Sequence, residues 1–322
     1  MSRTTWGILG AARIARQQVI PAIRRAGAGD VVAVSSASGK AGSYAAELGI
    51  SRAYASHEEL LADPEVESVY IALPNSHHAE WIIRAAQAGK HVLCEKPLVL
   101  GPDELDAVDR AARESGVVLA EAFMYRHHPQ LATARKLLTE GALGDLVAVQ
   151  ARLHFRLERS GGDIRLDPRL GGGSLLDVGC YPVDLFGLLT DAEPDEVVAT
   201  AVRDEPGGVD TRFAGVLRYG EVLATFDCGF DTPFTGTATL LGTRGTLHLT
   251  DVFRADLAGG TGTMVLRTDA GTRELHPSGD QYAAQAAAFA RQVREGRRDE
   301  HHWRLTTRTT RTLDRLAAAA TR

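Results

Sequence analysis

The sequence predicts an α/β fold in two parts: a doubly wound parallel sheet over residues 1–122, then an α/β domain with a large, mostly antiparallel open sheet over residues 123–322. Three observations carry this. Before residue 122, short apolar runs alternate about six times with helix-period segments, and several runs are apolar on both faces, as strands are when crossover helices cover both sides. Beyond residue 122 the pattern becomes in–out alternation, seen first where Val149, Ala151, Leu153 and Phe155 interleave with Gln150, Arg152, His154 and Arg156. A length of 322 residues also suits two domains of roughly 150 residues each.

In chain order, 5–9 reads as a buried strand ending at Gly10. A helix follows over 14–26, where Pro21 predicts a kink or a short first helix. Further strands are expected at 31–35, 52–55 (a weak edge), within 66–73, at 91–94 and at 117–120. The helices between them fall at 42–48, 57–61, 78–88 and 103–115, with Gly49 and Gly89 in terminating positions. A helix over 131–140 opens the second part. Alternating strands then start at 146, 196, 211 and 222, with a long one over 237–249, and helices at 174–189 and from 281 to the end.

Composition narrows the function classes. With 44% apolar and 24% charged residues, the chain is neither disordered, collagen-like nor a coiled coil. A net charge of −5 makes nucleic acid and anionic membranes poor partners. Cys94, Cys180 and Cys228 are too few and too far apart for a disulfide framework or a four-ligand zinc site. The adjacent pairs His77-His78, His127-His128 and His301-His302 lack helix-spaced metal geometry, so no metal is expected. Without a long apolar span or a signal-type start, the expectation is a cytoplasmic protein acting on a small molecule. The stripe Arg304, Arg308, Arg311 and Arg315 reads as a helix face that is solvated or salt-bridged to the body.

The first strand ends in Gly10-Ala11-Ala12-Arg13-Ile14-Ala15, a worn form of G-x-G-x-x-G. Small residues there let the backbone approach a pyrophosphate at a helix N-terminus, so Gly10, Ala12, Arg13 and Ile14 are cofactor candidates in a Rossmann arrangement. An NAD site wants an acidic residue at the end of the second strand, to accept from the ribose 2′-hydroxyl. The stretch Ser35-Ser36-Ala37-Ser38-Gly39-Lys40 has none. Ser36 and Ser38 can donate to a 2′-phosphate and Lys40 can pair with it, with Arg13 a second candidate, which favours NADP(H) while leaving NAD(H) open.

Ligands of parallel sheets bind beyond the carboxyl ends of the strands. Two such ends carry polar residues: Leu73-Pro74-Asn75-Ser76-His77-His78 and Cys94-Glu95-Lys96-Pro97. Leu73, Pro74, Asn75, His78, Glu95 and Lys96 are therefore cofactor candidates, and Lys96, in a partly dry cleft, suits an acid, base or hydrogen-bond donor. Later, Gly171-Gly172-Gly173 feeds a helix carrying Asp177 and Tyr181 at i and i+4, on one face. A carboxylate beside a phenol suits proton exchange with a substrate hydroxyl, and equally a plain Asp–Tyr hydrogen bond.

Together these segments resemble the glucose–fructose oxidoreductase / inositol dehydrogenase / rhizopine catabolism (Gfo/Idh/MocA) oxidoreductases. The resemblance runs over Gly7-Ile8-Leu9-Gly10, Pro74-Asn75 with His78, Glu95-Lys96-Pro97, and Gly171-Gly172-Gly173 through Asp177 to Tyr181. It implies a nucleotide domain, a C-terminal domain whose open sheet makes a homodimer or homotetramer, and hydride exchange between a nicotinamide and a sugar-like alcohol or ketone. Lys96 takes the family's lysine role at the reacting oxygen, and Asp177 matches its aspartate. Tyr181 stands where many members have histidine, similar to the glucose–fructose oxidoreductase, ketosugar reductase and dihydrodiol dehydrogenase branches. The implied activity is an NADP-dependent, aldose dehydrogenase-like oxidoreductase. Alternatives are a sugar-nucleotide 3-ketoreductase, a trans-dihydrodiol dehydrogenase, and a non-catalytic NADP-binding regulatory protein. Tyr125, Arg165 and Asp184 are candidate substrate contacts.

Overall fold

The computed structural model describes residues 4–159, 161–205 and 207–321, and these form two compact units. The first comprises residues up to 124 together with 282–304; the second comprises 125–281 and the residues from 305 onward. Sequence periodicity assigns everything after 122 to the second domain, whereas 282–304 groups with the first unit. The reason is packing: Phe289 lies 5.1 Å, centroid to centroid, from Trp6 of the first strand, and both rings are fully buried.

The first unit holds a six-stranded parallel sheet in the order β3-β2-β1-β4-β5-β6. Its strands are β1 (Thr5–Leu9), β2 (Asp30–Ser35), β3 (Arg52–Tyr54), β4 (Ser68–Ile71), β5 (His91–Cys94) and β6 (Leu119–Glu121). This is the strand order of a dinucleotide-binding doubly wound sheet. Every residue of β4 is buried, as a strand covered on both faces requires. Between the strands run α1 (Ile20–Arg25), α2 (Ala41–Leu48), α3 (His57–Leu61), α4 (His78–Gln87) and α5 (Pro102–Glu114). In the helix entered after Gly10, only Ile20–Arg25 winds as a regular α-helix around Pro21. It widens ahead of it into a π turn over Ala15–Val19, because the proline ring and its missing N–H do not fit a regular i→i−4 ladder.

After α6 (Pro129–Thr139), the second unit is built on an eight-stranded sheet in the order β14-β13-β12-β11-β7-β10-β9-β8. The strands are β7 (Leu146–Arg156), β8 (Glu196–Arg203), β9 (Asp210–Tyr219), β10 (Val222–Gly229), β11 (Asp231–Gly242), β12 (Gly245–Thr250), β13 (Thr263–Thr268) and β14 (Gly271–Leu275). Only the β7–β10 pairing is parallel. The single strand expected over 237–249 is two, β11 and β12, folded back at Thr243-Arg244 between glycines. The inner face carries Val149, Ala151, Leu153, Phe226 and Leu240, packed under α7 (Cys180–Thr190). On the outer face Val198, Val202, Val216 and Leu223 are each 46–67% exposed. The terminal helix is also two, α8 (Gln281–Glu295) and α9 (Glu300–Ala319), broken at Gly296, which takes the left-handed conformation.

Candidate active site

In the first unit, strand register gathers the candidates. Leu9 pairs with Ser35 and with Ile71, Ile71 with Cys94, and Cys94 with Glu121. Gly10, Ser36, Leu73, Glu95 and Lys96 therefore leave the sheet along one edge, the carboxyl edge, where parallel sheets bind ligands. Gly10 has φ +99°, and a Cβ there would lie 2.6 Å from the Ala72 carbonyl oxygen, so only glycine makes this turn. The turn is braced by the buried Tyr44, whose hydroxyl donates to Ala12 O at 3.0 Å. Burial pushes the Tyr44 phenol up to about 12, which keeps it a donor at neutral pH. No local pattern marks Tyr44, which lies 32 residues along the chain from the carbonyl it holds.

At the end of β2 the Ser36 and Ser38 hydroxyls are 2.9 Å apart; Ser36 is buried, while Ser38, Lys40 and Arg13 are exposed and Ile14 is half-buried. On the Glu95-Lys96-Pro97 loop, the fully buried Tyr70 donates its hydroxyl to Glu95, and the Lys96 backbone N–H reaches Glu95 Oε2 at 3.3 Å. Burial, reinforced by the Glu95 charge, holds the Tyr70 phenol well above its ordinary range, so it remains the donor. The loop is pinned further where Glu95 N–H donates to Ile71 O at 3.0 Å and Leu98 N–H to Glu121 Oε1 at 2.8 Å. The Lys96–Pro97 peptide is cis, and the Lys96 side chain is half-buried. His78 departs from the expectation of a cofactor contact. Its side chain is fully buried, with Nδ1 2.9 Å from Pro97 O and Nε2 3.0 Å from Leu73 O, so both ring nitrogens face backbone carbonyls.

In the second unit, the triple glycine makes room for a carboxylate. Gly173 has φ +114°, and a Cβ there would collide with Asp210. The Asp210 carboxylate accepts from Ser174 Oγ at 2.6 Å and from Leu175 N–H at 2.7 Å. Burial raises its pKa, opposed by those two donors. Asp210 too has no local signal, being more than thirty residues from the turn it organises. The chain then winds as a π turn over Leu175–Gly179 before α7, and Pro182 again follows closely. Single π turns recur at functional sites. Asp177 Oδ2 accepts from Arg165 Nε at 2.9 Å, and Arg165 Nη1 reaches Asp163 Oδ1 at 3.2 Å. Asp177 is the main cause of the raised Arg165 pKa. Tyr181 lies in a ring cluster, 5.7 Å from Tyr125 and 5.6 Å from Phe253.

Tyr125 and Asp184 also depart from the expectation. Asp184 is 0% exposed and its carboxylate is filled: Tyr125 donates at 2.5 Å, Thr309 at 2.9 Å, and Arg126 through Nε at 3.0 Å and again through Nη2. Both side chains are buried, and the Tyr125 ring packs on that of Tyr181. The arginine stripe is salt-bridged, as Arg308 pairs with Asp191 and Arg311 with Glu193, while Arg315 donates to the Pro194 carbonyl. Among the described residues no cluster of His, Cys, Asp or Glu could hold a metal, and no helix is long and apolar enough to cross a membrane.

A family model described as GFO_IDH_MocA, an oxidoreductase family with an NAD-binding Rossmann fold, matches residues 4–123, and the GFO/IDH/MocA C-terminal domain matches 131–248. The chain belongs to the Gfo/Idh/MocA oxidoreductases. It is 41% identical to a D-xylose 1-dehydrogenase (NADP(+)) of Haloferax volcanii, over 90% of this chain and 89% of that one. It is 35% identical to a dTDP-3,4-didehydro-2,6-dideoxy-alpha-D-glucose 3-reductase of Streptomyces violaceoruber, over 89% and 84%. Among solved structures it is similar to KijD10, a 3-ketoreductase from Actinomadura kijaniata in complex with NADP and TDP-benzene, with TM-score 0.93 and 29% identity over 99% of this chain and 98% of that one. Structures of KijD10 also exist with a tyrosine replaced by phenylalanine, and with a lysine replaced by alanine or glutamate. As a Gfo/Idh/MocA member the protein is an oxidoreductase, and its first unit is a Rossmann domain.

The structural role of Asp184 is testable. Replacing Asp184 with alanine strands a buried arginine, so stability to urea should fall by about 3–5 kcal/mol. A loss below about 1 kcal/mol would mean that the Asp184–Arg126 pair carries no such load.

Proposed function

We propose that the protein is an NADP(H)-dependent oxidoreductase that exchanges hydride between the nicotinamide and a sugar hydroxyl or ketosugar carbonyl, with a free aldose as substrate. The observation that carries this reading is the single row of strand ends, which brings the Gly10 turn, the carboxylate-free Ser36–Lys40 stretch and Lys96 to one edge. That edge fits a dinucleotide: the Gly10 position has no room for a side chain, as a backbone in close approach to a pyrophosphate needs. When bound, the nicotinamide donates or accepts the hydride at C4.

The protein's own residues supply the rest. The Gly10–Ile14 turn holds the pyrophosphate, with Leu73, Pro74, Asn75 and Glu95 along the same edge. Ser36 and Ser38 donate to the 2′-phosphate, and Lys40 and Arg13, both exposed, pair with it. Lys96 donates to the reacting oxygen and stabilises its developing negative charge. Tyr181 exchanges the proton of the reacting hydroxyl. Asp177, fixed by Arg165, orients the remaining hydroxyls. The D-xylose dehydrogenase relative supports the aldose, and the structural likeness to KijD10 favours a second reading, a sugar-nucleotide 3-ketoreductase. Cytoplasmic residence belongs to the same proposal, as does self-association through the outer sheet face.

Tyr181→Phe and Lys96→Ala should each lower turnover by about 10²–10⁴ while leaving NADPH affinity unchanged in fluorescence titration. Turnover within a few-fold of the parent removes that residue from the chemistry. In the same titration NADPH should bind at least about tenfold more tightly than NADH, and Lys40→Ala should narrow the gap. Tighter binding of NADH sinks the assignment of Ser36 and Lys40. With the better cofactor, aldoses should turn over in preference to sugar nucleotides and dihydrodiols. Light scattering should report a dimer or tetramer, and Val216→Lys should shift it toward monomer; a parent protein that is monomeric excludes the outer face as an interface.

A further inference from the structure

His78 is the first residue of α4 and has no exposed surface, yet its two ring nitrogens reach two different loops of the carboxyl edge. Nε2 faces the carbonyl of Leu73, just past β4, and Nδ1 faces the carbonyl of Pro97, the residue after Lys96. We propose that His78 is a positioning residue for Lys96: it bridges the two strand-end loops and fixes the backbone from which the lysine reaches. This rests on the reading of Lys96 as the donor to the reacting oxygen.

The bridge completes a set of ties around a short segment. Glu95 N–H is held by Ile71 O, the Glu95 carboxylate by Tyr70, Leu98 N–H by Glu121, and the Pro97 carbonyl by His78. The first three restrain the residues on either side of Lys96 and Pro97; His78 ties this loop to the neighbouring one at Leu73. A buried carbonyl that loses its donor costs about 1–3 kcal/mol, so removing the ring favours a shifted loop in which Leu73 and Pro97 find other partners. A displacement of about 1 Å at a reacting group lowers rates by about 10²-fold. Burial, with the Lys96 ammonium acting in the same direction, holds the imidazole below the usual histidine range. The two facing carbonyls act the other way, because a ring protonated on both nitrogens donates to both at once, whereas a neutral ring donates to one and packs against the other.

The test is a double-mutant cycle on the full chain under saturating NADP+ and D-xylose. His78→Asn should lower kcat by about 10- to 100-fold in the parent, but by less than about threefold once Lys96 is alanine. His78→Gln is run alongside, and circular dichroism selects whichever variant keeps the parent fold. Equal losses in both backgrounds, or parent-like kcat in the folded histidine variant, overturn the bridge while leaving Lys96 in its role. Near-parent turnover of Lys96→Ala alone overturns the reading on which the bridge rests.

Discussion

The first unit depends on one constraint, the common register of its parallel strands. Hydrogen bonding puts Leu9, Ser35, Ile71, Cys94 and Glu121 in a single row, so all five strands end at the same level. Everything polar that follows is delivered to one edge by the backbone alone. Side chains then refine what the register provides: Tyr44 braces the glycine turn, Tyr70 holds Glu95, and His78 ties two loops together. Each is buried and donates to, or faces, an oxygen of a strand-end loop, which restrains the loops.

The second unit solves a related problem with buried charge. Asp184 is withdrawn from water and filled with donors from Tyr125, Arg126 and Thr309, while the half-buried Asp210 accepts from Ser174 and Leu175 N–H. Such groups add little net stability over apolar packing, but are strongly destabilising when half removed. What they confer is direction. Asp210 fixes where the Gly171–Ser174 turn becomes helix, and Asp184 orients the Tyr125 ring that packs on Tyr181.

Much of the fold was legible because apolar periodicity is a local property. β1, β2, β5 and the β7 alternation follow directly from it, as does a parallel sheet, while the order of its strands does not. The β11–β12 turn was not legible, since the period-two pattern runs through both strands and only the glycines around Thr243-Arg244 mark the reversal. β14 is not legible because it is almost wholly exposed and lacks a dry face, whereas β13 has a short dry face of Met264 and Leu266 that the periodicity reading omits. In the site, residue type and motif identified Lys96, Asp177 and Tyr181 as candidates, but not where side chains point. His78, Tyr125 and Asp184 are candidates by the same reading and are fully buried. Tyr44, Tyr70 and Asp210 act on atoms far away in sequence, and no window of neighbouring residues contains that information.

The two π turns, Ala15–Val19 and Leu175–Gly179, each lie just ahead of a helical proline. A wide turn holds one more residue than a regular one. Deleting Val178 or Gly179 would remove that extra residue and rotate Asp177 by about 100° relative to Tyr181. Conservative substitutions there keep the count and the geometry. The relation between Asp177 and Tyr181 is thus stored as chain length, so this stretch should tolerate changes of letter in descendants of this gene far better than changes of number.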